Sequence, residues 1–347
     1  MSADIRTAIE GRVGRITFAR PKALNALTHE MSLKIEAALD AWAADDSVAM
    51  VVIDAEGARA FCAGGDIAAI YREGIAGRYD GARAFWRDEY RMNARIFGYP
   101  KPVAAFMQGF VMGGGVGVGG HAGHRVVGDS IQVSMPESGI GLIPDVGGTL
   151  LLARAPGRLG EYLGTTGARM GPGDAIHAGF ADHYLPEGDW PALIGALVET
   201  GDPRLIDAAA RPAPDAPLAA QQALVDRCFS RATLAGILAA LEAEPDAFAQ
   251  KALTAMRRNS PLSMACGIEL IRNARVENDI HAALRAEYRF THRAMEQGDF
   301  LEGVRAQIID KDRNPHWRHA DAADLPRADI AAMLEPLGAQ ELTFEKE

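Results

Sequence analysis

Two carboxylates and two glycine-rich loops are the features of this sequence that could do chemistry together. Glu137 and Asp145 lie eight residues apart in MPESGIGLIPDVGGT (135–149), whose glycines and proline allow the chain to fold back. Glycine-rich loops occupy residues 63–66 (AGGD) and 113–123 (GGGVGVGGHAG). Glycine lets a backbone N–H approach a ligand oxygen closely, and a pair of such donors stabilises developing negative charge. These segments predict a pocket in which two N–H groups bind an oxyanion and a carboxylate acts as an acid or a base.

The second glycine loop also contains the pattern of a dinucleotide-binding loop, G-x-G-x-x-G, over residues 115–120. Glu137 lies about twenty residues further on, near where a ribose-binding acid is expected. In that fold a helix begins at the last glycine, but the residues that would form it here are rich in glycine, and each costs about 1 kcal/mol relative to alanine. Glu137 also follows Pro136 directly, which places it in a turn. The sequence therefore disfavours dinucleotide binding, and we predict no cofactor.

Three other side chains near the glycine loops could do chemistry, but the pattern favours structural roles for them. His121 and His124 could share one helical face and bind a metal, yet no acidic or thiolate third ligand lies near them in the sequence. We therefore predict no metal site. Cys62 precedes the first glycine loop and is expected to be a small buried residue rather than a nucleophile. The sequence also lacks G-x-S-x-G, H-E-x-x-H and the P-loop pattern.

The composition is that of a large acidic chain. Its 347 residues are 48% hydrophobic, and 36 Lys and Arg against 46 Asp and Glu give a formal net charge of −10. An acidic chain with no basic run is a poor candidate for binding nucleic acid or an anionic membrane. The three cysteines have no paired spacing, which is typical of a reducing compartment. The N-terminal residues show no secretory signal, so we expect a cytoplasmic protein without a nucleic-acid or membrane partner.

The elements that must hold the loops alternate between strands and helices in the first part of the chain. GRITFAR (14–20) alternates apolar and polar residues, and VAMVVIDA (48–55) is a short apolar run. PVAAFMQG (102–109) is a further β-like run directly before the second glycine loop. Between the first two runs, Thr28 can cap a helix whose apolar residues recur at helical spacing. This rhythm predicts an α/β core.

The character of the sequence changes past residue 186. A stretch rich in proline and alanine is followed, from about residue 218, by segments with helical periodicity. We predict a catalytic core over residues 1–200 and a mostly helical C-terminal region over residues 201–347.

Several segments, taken in order, resemble the crotonase (enoyl-CoA hydratase/isomerase) superfamily, and two of them resemble its hydrolase branch. The resemblance implies a spiral of ββα turns with a mostly helical C-terminal part, and an acyl-CoA thioester substrate. Coenzyme A would then be part of the substrate and not a cofactor. A homo-oligomer, either a trimer or a hexamer, is possible by the same resemblance. The segments are RPKALNALT (20–28), AFCAGGDI (60–67), PKPVAAFMQGFVMGGGVGVGGH (100–121) and MPESGIGLIPDVGGT (135–149), with FWRDEYRMN (85–93) and EGVRAQIIDKDRNPHW (302–317) typical of the hydrolases.

The resemblance also implies roles for particular residues. The backbone N–H groups of Gly65 and Gly114 match the two donors of the superfamily's oxyanion hole. Glu89, Glu137 and Asp145 match the acidic residues that line the substrate pocket of the hydrolases. Of these three, Glu137 is expected to carry the chemical step, with Asp145 as the second catalytic residue and Glu89 in substrate binding.

One departure from the hydratases separates the possible activities. Hydratases of the superfamily hold the added water with two glutamates, and the first of these falls at Gly117, which has no carboxylate. The second matches Glu137, whereas Asp145 stands where hydratases usually carry glycine. These differences favour thioester hydrolysis over water addition to a C=C bond. Enoyl-CoA hydratase and dienoyl-CoA isomerase activities of the same superfamily stay open as alternatives, as does a non-catalytic acyl-CoA-binding protein.

Overall fold

The computed structural model describes residues 4–345 and shows an α/β fold with two sheets. The strands are β1 (Ile5–Glu10), β2 (Val13–Phe18), β3 (Met50–Ala55), β4 (Ala60–Cys62), β5 (Val103–Met107), β6 (Phe110–Met112), β7 (His124–Val127), β8 (Gln132–Ser134) and β9 (His183–Tyr184). Six of them form one sheet in the order β1-β2-β3-β5-β7-β9, and the other three form a second sheet in the order β4-β6-β8. Only the β1–β2 pair is antiparallel among these strands.

Helices make up most of the remaining ordered structure. None of the helices within residues 4–345 combines the length and apolar character that crossing a bilayer requires. They are α1 (His29–Ala43), α2 (Ile67–Ile75), α3 (Asp80–Phe97), α4 (Gly114–Gly119), α5 (Gly148–Arg154), α6 (Leu159–Thr166), α7 (Pro172–His177), α8 (Trp190–Thr200), α9 (Arg204–Ala209), α10 (Gln222–Phe229), α11 (Leu234–Glu242), α12 (Ala247–Met256), α13 (Pro261–Glu277), α14 (Ile280–Ala294), α15 (Phe300–Val304) and α16 (Arg327–Leu334).

Consecutive strands alternate between the two sheets in a repeating ββα pattern. The pair β3 and β4 is followed by α2, the pair β5 and β6 by α4, and the pair β7 and β8 by α5. In each pair the first strand joins the six-stranded sheet and the second joins the three-stranded sheet. After β9 the chain forms only helices, from α8 to α16, apart from short turns within the described residues. The predicted spiral of ββα turns with a mostly helical C-terminal part is confirmed.

Contacts between residues divide the chain into two compact units that interleave along the sequence. The first unit comprises residues 1–65, 88–134 and 169–219, and it holds both sheets. The second unit comprises residues 66–87, 135–168 and 220–347, and it is helical. The predicted division of the chain at residue 200 describes where the helical region begins, and it stays a prediction.

The segments predicted from local pattern form the expected elements. Helix α1 begins after Thr28, whose hydroxyl accepts a hydrogen bond from the backbone N–H of Met31 at 3.3 Å. Its buried residues repeat at helical spacing from Met31 to Trp42. The apolar run 48–55 forms β3, a buried parallel strand, and the run 102–109 forms β5.

The second glycine loop differs from expectation, because part of it is helical. Helix α4 covers Gly114–Gly119, and every residue in it is buried. A Cβ atom on Gly115 would lie 2.1 Å from the carbonyl oxygen of Cys62, and one on Gly119 would lie 2.4 Å from the Sδ of Met107. Burial against β4 and β5 therefore outweighs the low helix propensity of glycine, and the absence of side chains is what permits that close packing.

Replacing Gly115 by alanine tests this close approach. The methyl group would meet a backbone carbonyl that cannot move aside like the end of a flexible side chain, so we expect Gly115→Ala to lower the free energy of unfolding by about 1–3 kcal/mol. Gly123→Ala is the matched control from the same glycine loop, because its nearest contact would be an ordinary 3.7 Å. Urea denaturation measures both, and equal stability of the two variants would contradict the packing argument.

Candidate active site

The two predicted N–H donors lie close together in the first unit. Gly65 forms an isolated parallel bridge with Leu27, whose backbone N–H donates to the carbonyl of Gly64 at 2.9 Å. Gly114 is the first residue of α4, and a Cβ atom placed on it would lie 3.6 Å from the backbone nitrogen of Gly65. The N–H of a first helical residue has no acceptor within its own helix. The structure thus brings Gly65 and Gly114 together, and their role as an oxyanion hole stays a prediction.

Positive backbone angles precede both donors. Gly64 has a φ of 110° and Gly113 has a φ of 46°. Side chains disfavour this region of backbone conformation, so glycine is the residue that can turn the chain at both points. The sequence AGGD and the glycine triplet at 113–115 therefore fix the direction in which the next N–H group points.

Glu89 lies beside the same two glycines. It belongs to α3, its residue is only 3% exposed, and its Oε1 would lie 2.7 Å from a Cβ atom on Gly114. The structure therefore brings Glu89 to Gly114, as the resemblance implied. It also places a buried acidic group where a substrate hydroxyl can donate to it.

Cys62 lies at the end of β4, next to this group of residues, and it is fully buried. Burial raises the pKa of the Cys62 thiol to about 12, and the charge of Glu89 acts in the same direction. A thiol with such a pKa is not ionised at neutral pH and is a poor nucleophile. The expectation that Cys62 is a small buried residue is confirmed.

The two remaining carboxylates lie in one turn-rich segment of the second unit. Glu137 opens a 3-10 turn over Glu137–Ile140, and its carbonyl accepts a hydrogen bond from the N–H of Leu142 at 3.0 Å. Asp145 follows, and its carbonyl accepts from the N–H of Gly148 at 2.6 Å. Both residues are about 5% exposed or less. The segment folds back twice as its glycines and proline predicted, and it keeps two carboxylates out of bulk water.

A buried glutamate that the motifs did not reveal fixes the end of this segment. Glu287 of α14 accepts hydrogen bonds from the N–H of Gly147 at 2.7 Å and from the N–H of Thr149 at 3.0 Å. It also accepts one from the Thr149 hydroxyl. These donors lie at the start of α5, where backbone N–H groups lack partners in their own helix and the helix dipole favours an anion. Glu287 therefore holds the backbone that follows Asp145.

Two opposing effects set the proton affinity of Glu287. Complete burial raises its pKa, and the nearby charge of Asp145 raises it further, while the hydrogen bonds from Thr149 and Gly147 lower it. The net result is a pKa of about 8. Glu287 and Asp145 are thus two coupled carboxylates, and a proton on Glu287 leaves Asp145 the easier of the two to ionise.

The sequence carried one signal for Glu287. It lies on the buried stripe of α14, three residues after Leu284 and three before Phe290. A charged residue in an apolar stripe needs a partner, which its position alone does not identify. Its partners are about 140 residues earlier in the chain, so no local pattern could have paired them.

The site residues are thus distributed over both units. Gly65, Glu89 and Gly114 belong to the first, and Glu137 and Asp145 belong to the second. Gly117 lies inside α4 and is buried, so the helix that begins with a predicted N–H donor presents no carboxylate from that position.

Comparison with known proteins identifies the family. Residues 13–334 match the family model described as "Enoyl-CoA hydratase/isomerase". A probable 3-hydroxyisobutyryl-CoA hydrolase 3 of Arabidopsis thaliana is 34% identical over 94% of this chain and 90% of its own length. The mitochondrial 3-hydroxyisobutyryl-CoA hydrolase of Rattus norvegicus is 34% identical over 99% of this chain and 91% of its own.

Two solved structures resemble the chain over its whole length, under different names. The crystal structure of an enoyl-CoA hydratase from Rhodobacter sphaeroides is 54% identical, with a TM-score of 0.94 over 99% of this chain and 100% of that one. The crystal structure of a carnitinyl-CoA dehydratase from Mycobacterium thermoresistibile is 43% identical, with a TM-score of 0.95 over 100% of both chains.

The proton held by Glu287 predicts how stability depends on pH. Its folded-state pKa of about 8 lies above the ordinary value of 4.5, so between these values the folded protein keeps a proton that the unfolded chain releases. This contribution to stability is therefore complete at low pH and is lost as the pH rises toward 8. We expect the free energy of unfolding to fall through this window by up to about 1.4 kcal/mol per pH unit because of Glu287.

Urea denaturation between pH 5 and 8 measures this slope. Glu287→Gln removes the titrating group, so we expect its slope to be shallower than that of the wild type. The exposed Glu277 of α13 provides the control variant Glu277→Gln, which should keep the wild-type slope. Identical slopes for Glu287→Gln and the wild type would show that Glu287 does not titrate in this range.

Proposed function

Because this chain belongs to the enoyl-CoA hydratase/isomerase family, we propose that it is an acyl-CoA thioester hydrolase that converts 3-hydroxyisobutyryl-CoA to 3-hydroxyisobutyrate and coenzyme A. The observation that carries this proposal is the set of acidic residues. Glu89, Glu137 and Asp145 are all buried, while Gly117 leaves α4 without the carboxylate that a hydratase uses. The relatives named as 3-hydroxyisobutyryl-CoA hydrolases extend over nearly the whole chain and support the same substrate. Such a reaction belongs to valine degradation.

The first step of the proposed reaction polarises the thioester. Its carbonyl oxygen accepts hydrogen bonds from the N–H groups of Gly65 and Gly114, and it gains negative charge when a nucleophile adds to the carbonyl carbon. Fixed backbone donors stabilise that charge more in the transition state than in the ground state, and one such donor contributes about 10²–10³ in rate.

The second step needs a base or a nucleophile, and Glu137 fills that role. In one route its carboxylate removes a proton from water as the water oxygen adds to the carbonyl carbon. In the other route the carboxylate adds directly, and the resulting anhydride is hydrolysed by water. Both routes break the C–S bond, release coenzyme A as a thiolate that takes up a proton, and leave the free hydroxy acid.

The other two carboxylates have supporting roles in the proposal. Glu89, beside Gly114, accepts a hydrogen bond from the hydroxyl of the acyl group and so selects a hydroxyacyl substrate. Asp145 orients the water or the acyl hydroxyl, or passes a proton to the departing thiolate. Buried carboxylates have raised proton affinity, which suits a group that must donate a proton near neutral pH.

A hydratase is the second candidate, because a solved structure 54% identical to this chain is named an enoyl-CoA hydratase. Water addition to an enoyl-CoA needs acid and base groups on the two carbons of the C=C bond. At Gly117 this chain lacks one of the two glutamates that serve hydratases, so half of that pair is missing. A dienoyl-CoA isomerase would use the Glu and Asp that are present, but the hydrolase-like segments at 85–93 and 302–317 are not typical of that branch. A non-catalytic acyl-CoA-binding protein would have no need of three buried carboxylates.

The setting of the enzyme follows from the same features. All three cysteines are free thiols and buried, which suits a reducing compartment, and we propose the cytoplasm. Several relatives are named as mitochondrial proteins. The acidic net charge supports a small-molecule partner, the acyl-CoA, rather than nucleic acid. A homo-oligomer, as a trimer or hexamer, remains part of the proposal.

The most direct variant is Glu137→Gln, which keeps the shape of the side chain and removes its basicity. We expect release of free thiol from 3-hydroxyisobutyryl-CoA to slow by about 10²–10⁴ in kcat. A thiol-reactive dye follows the reaction, and Glu277→Gln, an exposed change in the same unit, should keep wild-type turnover. Wild-type turnover by Glu137→Gln would remove Glu137 from the mechanism.

The oxyanion donors are tested by Gly114→Ala. The added methyl group would lie 2.7 Å from Glu89 Oε1 and 3.3 Å from a methyl carbon of Leu27, so it would shift both the donor and the neighbouring carboxylate. We expect kcat/KM for thiol release to fall by about 10²-fold. Gly123→Ala is the control from the same loop and should keep kcat/KM. An active Gly114→Ala enzyme would exclude Gly114 as a donor.

A further inference from the structure

A second group of chemically capable side chains lies in the first unit, away from all the residues given catalytic roles above. His124, His183 and Asp207 each offer one ligand atom, and these three atoms lie within 4.8 Å of one another. Both histidines are half-buried, and Asp207 is exposed, with 62% of its side chain accessible. The proposed hydrolysis uses none of the three.

The sheet brings the two histidines to one face. β7 and β9 are parallel neighbours, and Val126 of β7 lies opposite His183 of β9. Residues directly opposite in register share a face, and so do residues two apart in one strand. His124 is two residues before Val126, so it lies on the same face as His183. The two imidazole rings stack, with centroids 6.0 Å apart and planes 23° apart.

A helix brings the carboxylate to the same place. Ile206 of α9 is buried in a hydrophobic cluster with Val126 and Leu185, which fixes α9 against this face of the sheet. Asp207 is the next residue of α9 and lies over His183. Three separate elements, β7, β9 and α9, thus each supply one donor.

The distance between His183 and Asp207 suits a shared ion. Their Nε2 and Oδ1 atoms are 3.5 Å apart. Two other His–Asp pairs of this chain are closer, at 2.8 Å for His29–Asp88 and 3.1 Å for His319–Asp329, both within hydrogen-bonding range. Ligand atoms around a tetrahedral ion with bonds of about 2.0–2.1 Å lie about 3.4 Å from one another.

We propose that His124, His183 and Asp207 bind a divalent transition-metal ion of the zinc type. Two imidazole nitrogens and one carboxylate oxygen form a donor set that Zn²⁺ accepts, whereas Mg²⁺ prefers oxygen ligands alone. A water molecule would complete the tetrahedral coordination. The ion would join the two-residue edge strand β9 to β7 and to α9, so it would stabilise an edge of the six-stranded sheet.

The sequence offered only half of this cluster. His124 was considered as a ligand together with His121, three residues earlier, and that pair lacked a third donor. The structure instead buries His121 in an edge-on contact with Phe97. The partners of His124 come from 59 and 83 residues further along the chain.

Titration of ZnCl₂ into the full chain, stripped of metal by a chelator, tests the site by calorimetry. We expect the wild type to bind one Zn²⁺ per chain at this site and to gain thermal stability from it, whereas MgCl₂ at the same concentration should not bind. His183→Ala and Asp207→Asn should each weaken binding by roughly tenfold or more, since each removes a ligand. Asp207 is largely exposed, so Asp207→Asn is expected to fold normally even if the histidine variant does not.

His319→Ala is the matched control, because His319 also pairs with an aspartate but is not part of the cluster. It should keep wild-type Zn²⁺ affinity. The proposal fails if the wild type shows no saturable Zn²⁺ binding, or if Asp207→Asn and His183→Ala bind as the wild type does. It also fails if His319→Ala weakens binding as much as they do, since the zinc would then be bound elsewhere.

Discussion

The first unit depends on one close approach, that of helix α4 to strand β4. A Cβ atom on Gly115 would lie only 2.1 Å from the carbonyl oxygen of Cys62, so a residue with a side chain could not occupy that position. This contact seats the start of α4, which brings Gly114 next to Gly65 and to the carboxylate of Glu89. The loss of helix propensity at the glycines is the physical cost of this arrangement, and complete burial of the helix offsets it. A fixed pair of N–H donors is the result.

The second unit uses a different device for the same purpose. There a buried carboxylate, Glu287, gathers the backbone N–H groups of Gly147 and Thr149 and so fixes the segment that carries Asp145. A carboxylate in this position is expensive to ionise, because no water reaches it and Asp145 is near. The functional groups of both units are therefore held by backbone hydrogen-bonding geometry, and the side chains that do chemistry are few.

Local pattern predicted the parts of the structure that depend on neighbouring residues. The cap at Thr28, the buried strands β3 and β5 and the turns between Glu137 and Asp145 all follow from short-range preferences. The resemblance to known motifs supplied the fold and the residues of the candidate site. Three features escaped prediction because they arise from contacts between distant parts of the chain. These are the helical conformation of the glycine run, the pairing of Glu287 with the start of α5, and the meeting of His124 with His183.

The central claim is that this chain breaks the C–S bond of a hydroxyacyl-CoA and does not add water to a C=C bond. It is tested most directly by giving the purified protein 3-hydroxyisobutyryl-CoA and a matching enoyl-CoA in parallel, while free thiol and the absorbance of the enoyl group are both recorded. The account predicts thiol release from the hydroxyacyl-CoA and an unchanged enoyl absorbance, because Gly117 leaves only one of the two carboxylates that hydration requires. Loss of enoyl absorbance without release of thiol would contradict it and would make the protein a hydratase.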